Sequence, residues 1–302
     1  MNYSEHRYRS HDGLSLYYRD YGQSDDVVLC LPGLTRNSRD FQHIASTLAA
    51  DPVRPWRVIS PDLRGRGQSE HDPRPHRYHP GSYAKDIWTL VDQLGVGRFA
   101  VIGTSLGGLV AMIMAEQQAG RLRGVVLNDV GPEMPPAVVR ILEYAGRTPA
   151  VGSWDEAAAQ ARQLYGLAFP QVPDEFWAAY ARLSYHENEH GEIEPQIDRA
   201  LGEALRRAHR AHGHLQRLRR WGLLRRIHGV PIDLWDAYAA MTMPTLLIRG
   251  AHSDILTADI TARMQARKPD LQLVTVPERG HSPLLDEAEA AGAIVDFLRQ
   301  LG

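Results

Sequence analysis

Short apolar runs alternate with segments of helical periodicity through the first 130 residues of this 302-residue sequence. The runs VVLCLPG at 27–33 and FAVIGTS at 99–105 have the length and composition of buried strands. Between them, the apolar residues of 83–94 recur at helical spacing. Strands that alternate with helices at this spacing predict a parallel sheet covered by helices on both faces, an α/β fold.

The alternation stops near residue 131 and resumes at residue 244. From 131 to about 240 the pattern is mostly helical, with repeated proline breaks. Apolar runs then return at 244–254 and 271–282, and a last amphipathic helix is predicted near 286–300. The sequence therefore predicts one α/β core with an insertion. Its three segments are 1–130 (first part of the core), 131–240 (helical insertion) and 241–302 (second part of the core).

The composition is typical of a soluble globular protein. The sequence is 43% hydrophobic and 23% charged, and its formal net charge is −2, so no strong field attracts nucleic acid or an anionic membrane. The polar start MNYSEHRYRSHDG lacks the apolar core of a signal peptide, and no apolar run approaches the roughly 20 residues of a membrane span. We predict a cytoplasmic protein whose partner is a small molecule. The sequence does not indicate an oligomeric state.

One serine lies in a setting that favours nucleophilic chemistry. Gly103, Ser105 and Gly107 form the single G-x-S-x-G match, after the predicted strand 99–105 and before a predicted helix over 106–118. In this context the motif predicts a sharp strand-to-helix turn that exposes the serine hydroxyl. Glycines also serve close packing of backbones, which is the structural explanation of the same pattern. We predict Ser105 as a nucleophile.

A serine nucleophile needs a histidine base and a carboxylate that orients the base. His281 alone among the 14 histidines combines a preceding glycine with a position just after the last apolar run. Asp254 follows the run TLLIRG, and we predict it as the acid. Asp129, at the end of VVLND, is the alternative acid.

With a serine, an acid and a histidine in this order, the chain resembles the α/β-hydrolase superfamily over roughly 1–130 and 241–302. PDLRGRGQS at 61–69 also resembles the loop after the family's fourth strand. The resemblance implies that the insertion is a cap and that the backbone N–H groups of Leu34 and Leu106 form an oxyanion hole. It implies no metal or cofactor. The chain departs from the common pattern in having Pro32-Gly33 where many relatives have His-Gly.

The resemblance implies a capped serine hydrolase that cleaves a small, partly apolar ester, lactone or related acyl compound. Two alternatives stay open. One is a hydrolase that cleaves C–C bonds of ring-cleavage products, although Ser282 stands where such enzymes often have an aromatic residue. The other is a non-catalytic ligand receptor on the same fold. Arg36 and Asn37 are candidates for contact with substrate, and a loop that starts a helix explains them equally well.

Other motifs lie in the insertion. HENEH at 186–190 matches a zinc-protease pattern that needs a helix, but it runs into Gly191 and Pro195, so we predict a solvated turn without metal. The arginine-rich stretch 199–226 is predicted to be an exposed face of the cap. The insertion's tryptophans either line a pocket or pack the cap: Trp154, Trp177, Trp221 and Trp235.

Overall fold

A central sheet and the helices that cover it account for most of the computed structural model, which describes residues 3–207 and 234–302. The strands are β1 (Tyr3–Arg9), β2 (Ser15–Tyr21), β3 (Val27–Leu31), β4 (Arg57–Pro61), β5 (Phe99–Thr104), β6 (Leu122–Asn128), β7 (Tyr185–Glu187), β8 (Ile193–Pro195), β9 (Thr245–Gly250) and β10 (Gln272–Val276). The helices are α1 (Gln42–Ala49), α2 (Pro80–Gln93), α3 (Leu106–Gln118), α4 (Val138–Tyr144), α5 (Trp154–Tyr165), α6 (Asp174–Ser184), α7 (199–207), α8 (Trp235–Ala239), α9 (Ala258–Arg267) and α10 (Ala288–Gln300).

The main sheet has eight strands in the order β1-β2-β4-β3-β5-β6-β9-β10. Strand β2 is antiparallel to β1 and β4, and the remaining neighbours pair in parallel. The carboxyl ends of β3, β5, β6, β9 and β10 therefore meet at one edge of the sheet. The predicted α/β fold with a mostly parallel sheet is confirmed.

Apolar side chains of alternate residues cover the two faces of the sheet. In β3, Leu29 and Leu31 pack on the side of α2 and α3, whereas Val28 and Cys30 pack on the side of α1 and α10. All four side chains are buried, as expected for a strand with a helix layer on each face. The continuous apolar run VVLCL thus reflects burial on both faces.

The chain between β6 and β9 contains α4 to α8 and a short antiparallel hairpin of β7 and β8. Helices α5 and α6 bury a small apolar cluster of their own, which includes Phe169, Trp177 and Tyr180. The helical prediction holds for these helices, but it missed the hairpin. HENEH begins on β7 and continues into the turn that follows, so its two histidines do not share a helix face. The limits 131 and 240 stay a prediction, and 208–226, with Trp221, lies outside the described residues.

No helix within 3–207 or 234–302 is both long enough and apolar enough to cross a membrane.

The loop after β4, PDLRGRGQS, is fixed by buried charges. The Asp62 carboxylate accepts the N–H groups of Ser38 (2.7 Å) and Gln68 (2.8 Å). The fully buried Arg64 guanidinium lies among three carboxylates, those of Asp12, Asp72 and Asp86. A buried cation needs such compensation. The loop is therefore a rigid support for the neighbouring loop after β3.

Candidate active site

Ser105 occupies a strained turn between β5 and α3, with φ 50° and ψ −112°. Two glycines permit this turn. A Cβ atom on Gly103 would lie 2.6 Å from the backbone of Gly107, and one on Gly107 would lie 2.0 Å from the carbonyl oxygen of Leu31. The glycines are thus required by close packing of α3 against β3 and β5, and that packing projects Ser105 at the carboxyl edge of the sheet.

His281 follows β10 and faces the serine. Its Nε2 lies 2.8 Å from Ser105 Oγ, and only 8% of its side chain is exposed. The preceding Gly280 N–H donates to the carbonyl of Ala168 in the insertion (2.8 Å). The structure therefore brings together the two residues that the sequence predicts as nucleophile and base.

The carboxylate that contacts His281 belongs to Asp129, just after β6. Its Oδ2 lies 2.8 Å from His281 Nδ1 and accepts a hydrogen bond from the Ser253 hydroxyl (2.5 Å). Its Oδ1 accepts the Gly250 N–H (2.9 Å), and the residue is fully buried. These hydrogen bonds give the buried carboxylate the partners that it needs and fix its orientation.

The prediction that Asp254 orients His281 is wrong. The Asp254 carboxylate pairs with Arg140 at 2.6 and 3.2 Å, and 45% of its side chain is exposed. The hydrogen bond from Arg140 holds the pKa of Asp254 below its usual value. The reason lies in the loop after β9, which turns Ser253 toward Asp129 and Asp254 toward Arg140. Asp129, the alternative acid, occupies the place beside the histidine.

Ser253 is a site residue that sequence reasoning missed. Its hydroxyl donates to Asp129 and also accepts the N–H of Leu256 (2.9 Å). The contact arises because β6 and β9 are neighbours, with Asn128 paired to Ile248, so the loops that follow them touch. Nothing in the sequence pattern of residues 252–254 distinguishes this serine, since the strand order is a property of the folded sheet.

The predicted oxyanion donors come from the loop after β3 and from the start of α3. Leu106 is the first residue of α3, and Leu34 lies in the loop after β3 and lines the cavity in front of Ser105. Within the part of the chain that the structure describes, neither N–H has a hydrogen-bond acceptor. Two free N–H groups are what a developing oxyanion requires.

Arg66 supports the loop that carries Leu34. Its fully buried guanidinium donates through Nε to the carbonyl of Leu34 (2.8 Å) and through Nη1 to that of Arg64 (2.8 Å), and it lies over the Tyr83 ring. No carboxylate among residues 3–207 and 234–302 lies within ion-pair distance of it. This side chain therefore serves to position backbone carbonyls.

The two candidates for substrate contact differ. Arg36 lines the cavity, but its guanidinium already binds both oxygens of Asp40 (2.6 Å each) and lies 4.1 Å from the centre of the Tyr180 ring. Asn37 is buried and does not line the cavity. Its side chain accepts the Arg39 N–H (3.0 Å) and donates to the Leu183 carbonyl (2.9 Å). The helix-start explanation therefore fits Asn37, and its prediction as a substrate contact is wrong.

A cavity of about 350 Å³ lies between the core and the insertion, in front of Ser105 and His281. Its wall is largely apolar and aromatic, including Ile141, Leu164, Leu167, Phe169, Tyr144 and Tyr165. The described tryptophans of the insertion lie elsewhere: Trp177 in its apolar cluster, Trp154 against Arg182 and Trp235 against Arg267. This volume is at the lower end of the range for small-molecule sites, so the cavity suits a compact ligand.

Comparisons with known proteins agree with this architecture. The family model described as "alpha/beta hydrolase fold" matches residues 26–288. The chain is 32% identical over 292 residues to a 3-hydroxybutyrate-oligomer hydrolase of Cupriavidus necator, covering 91% of this chain and 89% of that protein. It is 27% identical over 269 residues to a 2-(acetamidomethylene)succinate hydrolase of Mesorhizobium japonicum, covering 89% and 85%.

A solved structure is similar along its whole length. The crystal structure of an α/β hydrolase from Novosphingobium aromaticivorans has a TM-score of 0.86 and 37% sequence identity, and the match covers 99% of each chain. The family match spans most of this chain, and the named relatives are hydrolases. The chain therefore belongs to the α/β-hydrolase family and is a hydrolase.

Proposed function

We propose that this hydrolase cleaves carboxylic ester bonds of small, partly apolar acyl compounds through a serine triad of Ser105, His281 and Asp129. The observation that carries the proposal is the chain of contacts from Ser105 Oγ to His281 Nε2 and from His281 Nδ1 to Asp129 Oδ2, each 2.8 Å. This is the arrangement of nucleophile, base and orienting acid that activates a serine.

In the first step, Ser105 Oγ attacks the ester carbonyl carbon while His281 Nε2 takes the hydroxyl proton. Asp129 stabilises the imidazolium that forms, and its own orientation is set by Gly250 and Ser253. The negative charge that develops on the carbonyl oxygen is stabilised by the N–H groups of Leu34 and Leu106.

In the second step, the tetrahedral intermediate collapses and the bond to the alcohol oxygen breaks. His281 gives its proton to the leaving alkoxide, which leaves an acyl group on Ser105. A water molecule then loses a proton to His281 and attacks the acyl carbonyl, which releases the acid and restores the serine. The proposed steps use no metal and no cofactor.

The cavity and the comparisons support an ester as substrate. Much of the wall in front of Ser105 is apolar, as a short acyl chain requires, and the volume favours a compact compound. The Cupriavidus relative is named for 3-hydroxybutyrate oligomers, in which hydroxy acids are joined by ester bonds. A small hydroxy-acid ester therefore fits both the chemistry of the site and its size.

We expect a fluorophosphonate probe to label Ser105 at near-neutral pH, since a base-activated serine reacts rapidly with such probes. Mass spectrometry of the intact protein and of its peptides would locate the label, with Ser105→Ala as the control. Labelling should persist after exhaustive treatment with a chelator. Labelling at another residue, or none in folded protein, would contradict the assignment of the nucleophile.

The same preparation separates the proposed function from its alternatives. An aryl ester should be turned over, whereas a vinylogous 1,5-diketone of the ring-cleavage type should not, because C–C cleavage also requires ketonisation of the substrate. A higher kcat/KM for the diketone would favour C–C hydrolysis. Binding of both compounds without turnover of either would favour a receptor.

We expect Arg66→Met to lower kcat for an aryl ester by about 10- to 100-fold with a smaller change in KM, because small displacements of catalytic groups are costly. The substitution removes the bond to the Leu34 carbonyl while keeping most of the side-chain volume. Tyr83→Phe is the matched control, since it removes only the 3.2 Å contact between the Tyr83 hydroxyl and Arg66. Equal effects of the two substitutions would show that Arg66 does not position the oxyanion loop.

A further inference from the structure

The cavity in front of Ser105 carries a charged pair that the proposed triad does not use. Arg140, on α4 of the insertion, and Asp254, after β9 of the core, both line it. We propose that Arg140 binds a carboxylate of the substrate, which replaces Asp254 as the partner of the guanidinium. This inference rests on the proposed ester hydrolysis and names the class of ester, one whose alcohol half carries a free carboxylate.

Arg140 is placed to exchange its partner. Its side chain is 42% exposed and that of Asp254 is 45% exposed, so water reaches both groups. An ion pair at such a surface contributes little to stability. When a substrate carboxylate takes the guanidinium, the freed Asp254 carboxylate is hydrated. Breaking the existing pair therefore costs little, so the interaction of the guanidinium with the substrate carboxylate contributes to binding.

The other arginine of the described cavity wall does not have this freedom. Arg36 is buried, binds both oxygens of Asp40 and also donates to the Ser184 hydroxyl. A substrate carboxylate that displaced Asp40 would leave a nearly buried negative charge without its partner, which is costly. Arg36 therefore keeps Asp40 as its partner, whereas Arg140 can bind a substrate carboxylate in place of Asp254.

Two histidines of the same wall are weaker candidates for binding a substrate carboxylate. His281 contacts Ser105 and Asp129, and His252 faces Glu278, with 3.7 Å between Nε2 and the nearer carboxylate oxygen. A guanidinium offers planar, bidentate donors that match the geometry of a carboxylate, which an imidazole cannot do. The geometry thus favours Arg140 as the carboxylate-binding group.

The ligand class follows from this charge together with the apolar wall. The ester needs a short apolar acyl group near Ser105 and an anionic end that reaches the exposed part of the cavity. An oligomer of a hydroxy acid has this form, because each cleaved ester has an acyl half and an alcohol half that ends in a carboxylate. We expect such anions to be preferred over neutral esters of the same shape.

The test compares 3-(butanoyloxy)butanoate with its primary amide, which has the same shape and no charge. Both esters release butanoate through the same acyl-enzyme, so kcat/KM from butanoate release isolates the contribution of the carboxylate. We expect the wild-type protein to favour the anion by about 10- to 100-fold, the effect of one hydrogen-bonded charge. This preference should weaken as the salt concentration rises.

Two substitutions should change the ratio of kcat/KM for the anionic ester to kcat/KM for the amide in opposite directions. Arg140→Gln should abolish the preference for the anion. Asp254→Asn should raise it by up to about fivefold, because the guanidinium then has no competing carboxylate. The matched control is Arg162→Gln on α5, which breaks another exposed 2.6 Å ion pair of the insertion, with Asp174, away from the cavity. It should leave the ratio at the wild-type value.

The outcomes separate the two proposals. Turnover of both esters with the same ratio in wild type and Arg140→Gln would overturn the carboxylate site and leave ester hydrolysis standing. A lower ratio in Asp254→Asn would also overturn it, since it would assign the anion preference to another cation. Failure of the wild-type protein to hydrolyse either ester would overturn the proposed ester hydrolysis and the inference with it.

Discussion

Asp129→Asn is expected to lower kcat for an ester substrate by about 10⁴-fold, the cost of the corresponding change in serine proteases. The Asp129 carboxylate faces His281 Nδ1 at 2.8 Å and so keeps the proton on that nitrogen. An amide at this place can donate to Nδ1, which moves the ring proton to Nε2. The histidine then cannot accept the Ser105 proton, although the fold is kept.

The comparison that decides the acid is Asp254→Asn under the same conditions. Because its carboxylate pairs with Arg140 at the surface, this substitution should change kcat by less than about tenfold. Thermal unfolding of both variants controls for structural damage. If Asp254→Asn abolished activity and Asp129→Asn kept most of it, Asp254 would be the acid that orients His281.

Gly107→Ala is expected to destabilise the protein by at least about 3 kcal/mol and to lower Tm by roughly 6 to 12 °C. The new Cβ atom would lie 2.0 Å from the Leu31 carbonyl oxygen, 2.6 Å from its carbonyl carbon and 2.9 Å from its Cβ. Two of these are backbone atoms of a central strand, so the helix and the strand must separate. Activity should fall as well, because Leu31 leads directly into the loop of Leu34.

Gly292→Ala is the matched control for this effect. Gly292 is an exposed residue within α10, and a Cβ atom there would meet nothing within 4 Å. Alanine favours the helix by about 0.5 to 1 kcal/mol over glycine, so this substitution should raise Tm slightly. Circular dichroism during heating measures both. A Tm of Gly107→Ala equal to that of wild type would show that α3 and β3 are packed less tightly than described.

Much of the architecture could be predicted because it follows from local pattern. The buried run of β3, the strand of β5 and the helix after Ser105 each have the periodicity that their burial requires. The hairpin of β7 and β8 could not be predicted in this way. Each of its strands has three residues, too few to show an alternation.

The sequence predicts those site residues that can be recognised from their residue type and from a position directly after a strand. Ser105 and His281 follow strands that the sequence marks clearly, and they meet in the structure. The choice between Asp254 and Asp129 depends on which of two adjacent loops turns its side chain inward. That is decided by the pairing of β6 with β9 and by the positive φ of Asp129, which is 54°. Neither quantity is visible in a single sequence.

The position of Asp129 before the insertion has a consequence for protein engineering. Ser105 and Asp129 follow β5 and β6, which are neighbours in the sheet, with Thr104 opposite Asn128. The spacing of nucleophile and acid is therefore set by one strand pair, within a segment of chain that the insertion does not interrupt. We expect that a different segment grafted after Asp129, in place of the insertion, would alter selectivity without disturbing that spacing.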